Sequence, residues 1–396
     1  MKNWEKQIVK FVRKYHVWLL AVVVTLVSCY IRYLCRGFYS KDMTKFLLKW
    51  TEMLAGLGGF AGLKESIGNY NVPYLFILSL ISYFPSEGMI RMYLIKMVSV
   101  GFEFICAVLC ALIYREIKKD ATAFETVLCY GLVFALPQQI INGALWGQCD
   151  GLYTAFILAG LLCMFKGKYG LAFFSYGWAF AFKLQFIFFL PAIIILYAVN
   201  QRFSITKAVW FVPAYFISIL PGIIAGRDLM DIINIYFGQV GDSHKLTYNT
   251  PNLYTYLTGD YESVKTVGIW FAFLIFAVVA LWLFNKGVEF TKEDTILLFI
   301  WSAFTCYMFL PAMHDRYNFA FVILSVVYAF FNRKFVWHSV LLNIITLFNY
   351  AQFLQDGLVI VDYRILSAAL FVIYAMYTTQ LLCRKNCGEQ CKSNKE

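Results

Sequence analysis

Residues 141–150 read Ile-Asn-Gly-Ala-Leu-Trp-Gly-Gln-Cys-Asp and lie between two long apolar runs. The surrounding chain is compatible with hydrocarbon, whereas this stretch holds amides, an indole, glycines and a carboxylate. One explanation is an interfacial turn, because Trp anchors at lipid headgroups and Gly ends helices. The other is a functional site at the mouth of a membrane helix. Further polar clusters, predicted below for the same side of the membrane, favour the functional explanation.

The composition predicts an all-α polytopic membrane protein. Of 396 residues, 61% are hydrophobic and only 14% are charged, whereas soluble domains carry about 25% charge. Apolar stretches long enough or nearly long enough to span a bilayer recur to the end. The first run is too long for a signal-peptide core, so we interpret it as an uncleaved helix. We expect one integral membrane domain covering residues 1–396.

We predict twelve transmembrane helices and two long polar loops. The helices are placed at about 15–34, 89–114, 121–137, 151–165, two short helices meeting at Lys183 within 169–199, 205–225, 265–284, 294–310, 317–331, 335–354 and 362–383. The first loop, 35–90, is predicted to carry an amphipathic helix at 42–57 and a re-entrant or interfacial helix at 72–83, which is too short to span. The second loop is 226–264, and 384–396 form a tail.

The charge distribution orients these helices. Every short turn on the predicted inner side carries Lys or Arg, as at Arg115, Lys118 and Lys119. Positive residues concentrate on the cytoplasmic side of membrane proteins, which accounts for the net charge of +11 without a nucleic-acid partner. We therefore expect both termini in the cytoplasm and both long loops outside the cell membrane. Counting 72–83 as a span would reverse this arrangement.

Asp42 follows the first helix and has two interpretations. A carboxylate at a membrane surface beside aromatic residues can accept a proton from a hydroxyl. Asp is also a good N-cap, and it directly precedes the predicted 42–57 helix. Asp150 is the next candidate for a base. Glu103, deep in the second predicted helix, is a functional suspect by default, but a partner such as Lys96 or the backbone is the simpler explanation.

Basic residues at the predicted outer face suit a phosphate. Lys183 lies alone between two apolar helices, where an unpaired charge is costly. A bound phosphate could pair with it, with Gln185 as a further donor, or the side chain could snorkel to the interface. In His314-Asp315-Arg316-Tyr317, Arg316 could hold a phosphate with two hydrogen bonds and His314 could bind or protonate an oxygen. The alternative is a surface Asp315–Arg316 pair. The stretch 248–256, rich in Tyr, Asn and Thr, suits either a sugar or an interfacial turn.

Nucleotide chemistry is not indicated. The chain has no Walker loop, dinucleotide fingerprint or HExxH pattern, and no segment on the predicted inner side is large enough for a nucleotide-binding domain. The cysteines are scattered, and Cys383, Cys387 and Cys391 suggest neither a disulfide framework nor a metal site. An outward-facing enzyme has no cytoplasmic nucleotide-sugar available. A lipid-carried donor is therefore the expected substrate.

These residues together resemble the GT-C superfamily of membrane glycosyltransferases, which use polyprenyl-phosphate sugars, and above all the bacterial relatives of the second GPI mannosyltransferase. The similar stretches occur in family order over residues 40–317: Ser40-Lys41-Asp42-Met43, Gly68-Asn69-Tyr70-Asn71-Val72-Pro73-Tyr74-Leu75, Trp146-Gly147-Gln148-Cys149-Asp150, Lys183-Leu184-Gln185 with Pro191, Asn252-Leu253-Tyr254 and His314-Asp315-Arg316-Tyr317. This sequence departs from the family pattern at two positions, with Val72 in place of the first proline and Asp315 in place of Glu.

The resemblance implies an inverting hexosyltransferase that acts on a glycan or lipid-linked acceptor and needs neither a cofactor nor a metal. It implies Asp42 as the general base and a donor phosphate held by Lys183, Gln185, His314 and Arg316. The expected substrate-binding residues are Asn71, Tyr74, Trp146, Gln148, Asp150, Asn252, Tyr254 and Tyr317. Other multi-spanning proteins are the alternatives: a flippase or transporter of lipid-linked oligosaccharides, for which internal repeats would be typical, or a membrane O-acyltransferase or O-antigen-ligase-like enzyme.

Overall fold

The structure is a computed structural model that describes residues 2–241, 244–355 and 357–384. The described chain is an all-α fold with one pair of two-residue strands. The α-helices are α1 (Asn3–Cys35), α2 (Leu48–Gly56), α3 (Val72–Ile81), α4 (Ile90–Ile117), α5 (Ala123–Phe134), α6 (Pro137–Ile140), α7 (Asp150–Phe165), α8 (Tyr169–Phe182), α9 (Leu190–Asn200), α10 (Phe211–Ile224), α11 (Leu229–Gly241), α12 (Tyr261–Lys286), α13 (Lys292–Phe309), α14 (Phe319–Phe331), α15 (Val336–Leu354) and α16 (Tyr363–Leu382). The strands are β1 (Thr247–Tyr248) and β2 (Met313–His314).

Several helices are suited to a bilayer. Among the described residues, five helical segments are long and apolar enough to cross a membrane, or six if the pair bent by 42° between α5 and residues 137–146 forms one span. The five are Asn3–Cys35, Ile90–Ile117, Ile205–Ile224, Tyr261–Lys286 and Tyr363–Leu382. Membrane association is therefore indicated. A helix occurs within each of the twelve predicted segments, but the number of spans and their orientation remain predictions.

The positions of α1 and α13 follow from their surfaces. Every residue of α13 from Asp294 to Phe309 is buried, and it packs against α9, α12, α14 and α16. A helix that is hydrophobic all round belongs inside a bundle. In contrast, α1 exposes Trp18 and Leu26, at 71% and 64%. Such a surface suits a lipid environment, in which an apolar helix needs no polar face.

Two breaks in the helices carry the candidate site. As predicted, α8 ends at Phe182 and Lys183 adopts an extended backbone before the chain continues as a 3₁₀ helix at Leu184–Phe189. Residues Ile141–Trp146 form a π-helix after α6, and Gly147 then reverses the chain at a φ of +82°, which favours glycine. Short π-helical turns are frequently found at functional sites. Both breaks bring polar groups into an otherwise apolar bundle.

The second long loop differs from the prediction. Within 226–264 the chain forms the 13-residue helix α11, whereas we predicted a polar loop. Ile232 of α11 packs with Val72 and Ile219, while the Tyr236 hydroxyl donates to the carbonyl of Phe180. The helix has only 13 residues, too few to span a bilayer, so its apolar positions do not stand out in the sequence as a membrane helix. Tertiary packing stabilises α11 against α10 and the end of α8.

Glu103 has a partner that the sequence analysis missed. Its Oε2 accepts a hydrogen bond from Arg32 Nε at 2.9 Å, and both side chains are buried. Arg32 also donates to the carbonyl of Phe134 at 2.9 Å. Lys96, the expected partner, instead donates to the carbonyls of Arg36 and Phe38. A buried charge requires such partners, so this ion pair ties α1 to α4 and α5.

Candidate active site

Most of the predicted site residues meet at one cavity of about 510 Å³. The cavity is lined by side chains from the first loop, the two helix breaks, α11 and the loop between α13 and α14. The predicted residues among them are Asp42, Tyr74, Gln148, Lys183, Gln185, His314, Arg316 and Tyr317. Residues far apart in sequence therefore form a single polar site.

Asp42 is held by donors and does not cap a helix. Trp146 Nε1 and Gln148 Nε2 donate to its Oδ2 at 3.0 and 2.6 Å. Arg316 Nη1 lies 3.8 Å from the same oxygen. The N-cap interpretation is wrong, because the Ser40 hydroxyl accepts from the backbone N–H of Met43. The Oδ1 atom of Asp42 has no hydrogen-bond partner within the part of the chain that the structure describes.

The π-helix and the Gly147 turn place the two donors of Asp42. Trp146 ends the π-helix and is fully buried, so its indole N–H supports Asp42 but does not line the cavity. Gln148 follows the turn and reaches the cavity. The Ser40 hydroxyl donates to the carbonyl of Trp146 at 2.7 Å. This hydrogen bond joins the chain before Asp42 to the segment that supplies its donors.

Asp150 does not line the cavity. It is fully buried outside the cavity lining, and its Oδ1 forms an ion pair with Lys183 Nζ. Its Oδ2 accepts from Asn142 Nδ2 at 2.8 Å. Both oxygens are therefore occupied, and this geometry favours Asp42 over Asp150 as the base. Its carboxylate positions the Lys183 ammonium, which does line the cavity. The snorkelling interpretation of Lys183 is wrong, since this side chain is buried and paired.

Arg316 lies between two carboxylates without a short contact to either. Its Nη1 is 3.8 Å from Asp42 and 3.9 Å from Asp315, both longer than a hydrogen bond. Its Nε is buried and has no hydrogen-bond partner among the described residues. The guanidinium also lies 5.5 Å from the ring centre of Trp146, within cation–π range. Arg316 thus retains donors for an anion.

Asp315 is a buried carboxyl and not half of a surface pair. It is 1% exposed, and burial raises its pKa to about 7, although Arg316 opposes this shift. Near neutral pH it therefore exists in both protonation states. The Asp315 carboxyl lies next to the Arg316 guanidinium.

His314 is fixed by strand pairing. β1 and β2 are parallel, with Tyr248 opposite His314, and the two rings stack with centres 4.5 Å apart and an angle of 7°. Burial, together with the charges of Arg316 and Lys183, lowers the pKa of His314 to about 3. A neutral imidazole donates one N–H. The lowered pKa disfavours His314 as a proton donor or a positive charge, but its imidazole lines the cavity and can still bind an oxygen there.

Three predicted substrate-binding residues have structural roles away from the cavity lining. Asn71 caps α3 by accepting from the N–H of Val72 and donates to the Tyr215 hydroxyl. Asn252 is buried, caps the 3₁₀ turn Leu253–Tyr256 and donates to a backbone carbonyl. The buried Tyr254 hydroxyl donates to another carbonyl in α13. A capping amide and a binding amide have the same local sequence pattern, so only the tertiary structure separates them.

The cavity also contains residues that the sequence analysis did not select. The main ones are Phe46, Trp50, Asn69, Tyr70 and Gln239. Asp42, Phe46 and Trp50 recur at intervals of four, which was the available signal that they share a helix face. The Gln239 side-chain amide donates to the Asn69 carbonyl and so joins α11 to the first loop.

Besides Arg316 Nε, two other buried polar atoms of the cavity residues lack partners among the described residues. The Tyr74 hydroxyl and Gln185 Oε1 form no hydrogen bond within the described protein. Buried polar groups are nearly always paired, with protein, water or ligand. Both side chains line the cavity, so a bound polar molecule would satisfy them. No group of three or more His, Cys, Asp or Glu side chains in the described ranges is arranged to hold a metal ion.

No protein-family model matches this chain, and no curated protein matches it. The class defined by its fold is a helical protein with several helices suited to span a membrane. Its site is a polar cavity that combines a positioned carboxylate with an ammonium and a guanidinium group.

Proposed function

We propose that this protein is a GT-C-like membrane glycosyltransferase with about twelve transmembrane helices. It transfers a hexose, mannose-like or glucose-like, from a polyprenyl-phosphate carrier to a hydroxyl of a glycan or lipid-linked acceptor. The reaction inverts the anomeric carbon and occurs at the extracytoplasmic face of the cell membrane. The sequence resemblance suggested this activity, and the chemistry of the cavity supports it.

The observation that carries the proposal is the way Asp42 is held. Its Oδ2 is surrounded by Trp146, Gln148 and Arg316, whereas its Oδ1 has no partner among the described residues. A general base must be both positioned and free to accept a proton. Asp42 meets both requirements at the wall of a cavity large enough for a sugar. Asp150, in contrast, has both oxygens engaged by Lys183 and Asn142.

The cations of the cavity suit a leaving phosphate. Arg316 has an unpartnered N–H, and Lys183 reaches the cavity while Asp150 balances its charge. Charge-assisted hydrogen bonds from such groups are strong. Neutral His314 and the amide of Gln185 add polar contacts without charge.

The reaction then follows in one displacement. The acceptor oxygen attacks the anomeric carbon from the side opposite the phosphate, and the bond between that carbon and the phosphate oxygen breaks. The electron pair leaves with the phosphate, whose charge Arg316 and Lys183 stabilise. The hydroxyl proton passes to the Asp42 carboxylate. The products are a glycoside of inverted configuration and a free polyprenyl phosphate.

The test is a transfer assay with purified protein in lipid vesicles. A panel of polyprenyl-phosphate hexoses is supplied with hydroxyl acceptors, and glycoside, polyprenyl phosphate and anomeric configuration are measured. We expect an inverted glycoside from wild-type protein and from Asp362→Asn, a matched control at an exposed helix cap. Asp42→Asn should form almost none. No glycoside with any donor, or movement of the lipid-linked sugar across the bilayer without a new glycosidic bond, would contradict the proposal; the second result would indicate a transporter.

A further inference from the structure

One wall of the cavity differs in chemistry from the rest. Among the described residues at the cavity, the charged side chains are Asp42, Lys183 and Arg316. The wall formed by Trp50, Tyr70 and Tyr74, with the amides of Asn69 and Gln239, has no charged side chain. We call these five residues the aromatic wall. It comes from the first loop and α11, whereas Lys183 and Arg316 come from the helix break and the loop after α13.

The rings of the aromatic wall are fixed in place. Trp50 meets the ring of Tyr70 edge-on at 5.8 Å, and Tyr70 packs against Tyr74 at 4.8 Å. Gly68, at a φ of +64°, lies against the indole so closely that a Cβ there would be 2.4 Å from the ring. Only glycine fits this approach. Rigid aromatic rings lose little conformational freedom when a ligand binds, which is a property of binding surfaces.

We infer that the aromatic wall is the acceptor subsite and that it binds an uncharged oligosaccharide. The negative face of an aromatic ring attracts the C–H groups on the apolar side of a pyranose, and side-chain amides exchange hydrogen bonds with its hydroxyls. The buried Tyr74 hydroxyl, unpartnered in the described protein, supplies a further polar contact. The absence of charge on this wall disfavours uronic acids or phosphorylated sugars. This inference rests on the proposed function of the same cavity.

The helix that follows Asp42 sets the size of the acceptor. Phe46 and Trp50 lie on the same face as Asp42 and line the cavity with it. Asp42 and Trp50 are eight residues apart, across the π-helix Met43–Leu47 and the start of α2, which corresponds to roughly 10 Å. This distance is longer than one pyranose ring. The terminal sugar therefore presents its hydroxyl to Asp42 while a preceding sugar contacts Trp50. A monosaccharide would reach Asp42 without using the indole.

The test measures binding separately from transfer. Wild-type protein in nanodiscs is titrated with a methyl hexoside, a neutral hexose trisaccharide and a uronic-acid trisaccharide, by saturation-transfer NMR. We expect the neutral trisaccharide to bind best. Trp50→Leu should weaken it about tenfold, as loss of a stacking contact would, and leave the methyl hexoside unchanged. If Trp50→Leu does not fold, Gln239→Ala, at a half-buried position of the same wall, should also weaken binding of the trisaccharide.

Matched controls and the transfer assay separate the two hypotheses. Trp270→Leu, 66% exposed on α12, and Asn234→Ala on α11 should not affect trisaccharide binding. In transfer, Trp50→Leu should raise the acceptor KM about tenfold and leave the donor KM unchanged. The subsite would be overturned if Trp50→Leu and Gln239→Ala both bound the neutral trisaccharide as tightly as wild type. Preference for the uronic-acid trisaccharide, or no binding of any sugar, would also overturn it. If Trp50→Leu transferred sugar with an unchanged acceptor KM, the subsite would be wrong but the proposed transferase activity would stand. Binding of the neutral trisaccharide that depends on Trp50, without any transfer by the wild-type protein, would support the sugar-binding site and contradict the proposed transferase activity.

Discussion

Asp150 and Lys183 form a buried ion pair, in which the carboxylate also accepts a hydrogen bond from Asn142. Removing one partner of such a pair leaves an uncompensated charge and costs about 3–5 kcal/mol. We expect Asp150→Asn to lower the free energy of unfolding by such an amount, with variant and wild type measured in the same detergent.

A double variant separates stability from function at this pair. Asp150→Asn with Lys183→Met removes both charges, so most of the lost stability should return. Transfer activity should not return, because the ammonium that we assign to the leaving phosphate is absent. A stable and active Asp150→Asn would show that Asp150 does not position Lys183.

Asp42→Asn tests the base directly. The amide oxygen can still accept from Trp146 or Gln148 but cannot take a proton, so we expect normal folding with turnover reduced by about 10²–10⁴-fold. Turnover and melting temperature should be measured on the same preparation. Because Ser40 and not Asp42 caps the following helix, loss of stability should not accompany loss of activity. Near-normal turnover of the Asn variant would rule out Asp42 as the base.

Arg316→Lys tests phosphate recognition. Lys keeps the positive charge but lacks the planar fork of donors. A hydrogen bond to a charged group contributes roughly 1.5–3 kcal/mol, so the donor KM should rise at least about tenfold with little change in the acceptor KM. Arg333→Lys, at an exposed position, serves as the matched control. Equal donor kinetics for the two variants would exclude a role for the guanidinium fork.

The raised pKa of Asp315 makes stability depend on pH. The folded carboxyl has a pKa of about 7, against an ordinary value of 3.8. The folded protein thus binds the proton more tightly than the unfolded chain, and this stabilisation is complete below pH 3.8 and is lost as pH rises towards 7. Asp315→Asn removes the titrating group. The melting temperature of wild type relative to this variant should therefore fall between pH 4 and 7 and level off above. A difference independent of pH would contradict the shift.

Cysteine labelling tests the predicted orientation. Lys64 and Glu262 are exposed on the two long loops, whereas Lys119 and Lys334 are exposed on turns predicted to be inside. In a cysteine-free background, Cys at the first two positions should react with an impermeant maleimide from outside. Cys at the other two should react only after permeabilisation. The reverse pattern would place the cavity on the cytoplasmic side.

Site residues were easiest to predict from the sequence where a polar side chain interrupts an apolar stretch. Lys183, Gln148 and Arg316 stand out in an apolar chain, and they meet at one cavity because such groups require shared partners. What each polar group contacts depends on the tertiary structure, so the inward direction of Asp150 and the capping role of Asn252 were not predictable. Residues with ordinary apolar character, such as Trp50, gave no signal beyond helical spacing.

The Arg32–Glu103 pair has a consequence for how the protein is made. Arg32 is translated 71 residues before Glu103, and the carbonyl of Phe134, which also accepts from Arg32, is made later still. The first helix therefore emerges from the ribosome with a cation whose counter-charge does not yet exist. Release of that helix alone into the bilayer would be costly. We expect the insertion machinery to retain it until the next two helices have arrived, so that the three enter the membrane as one assembly.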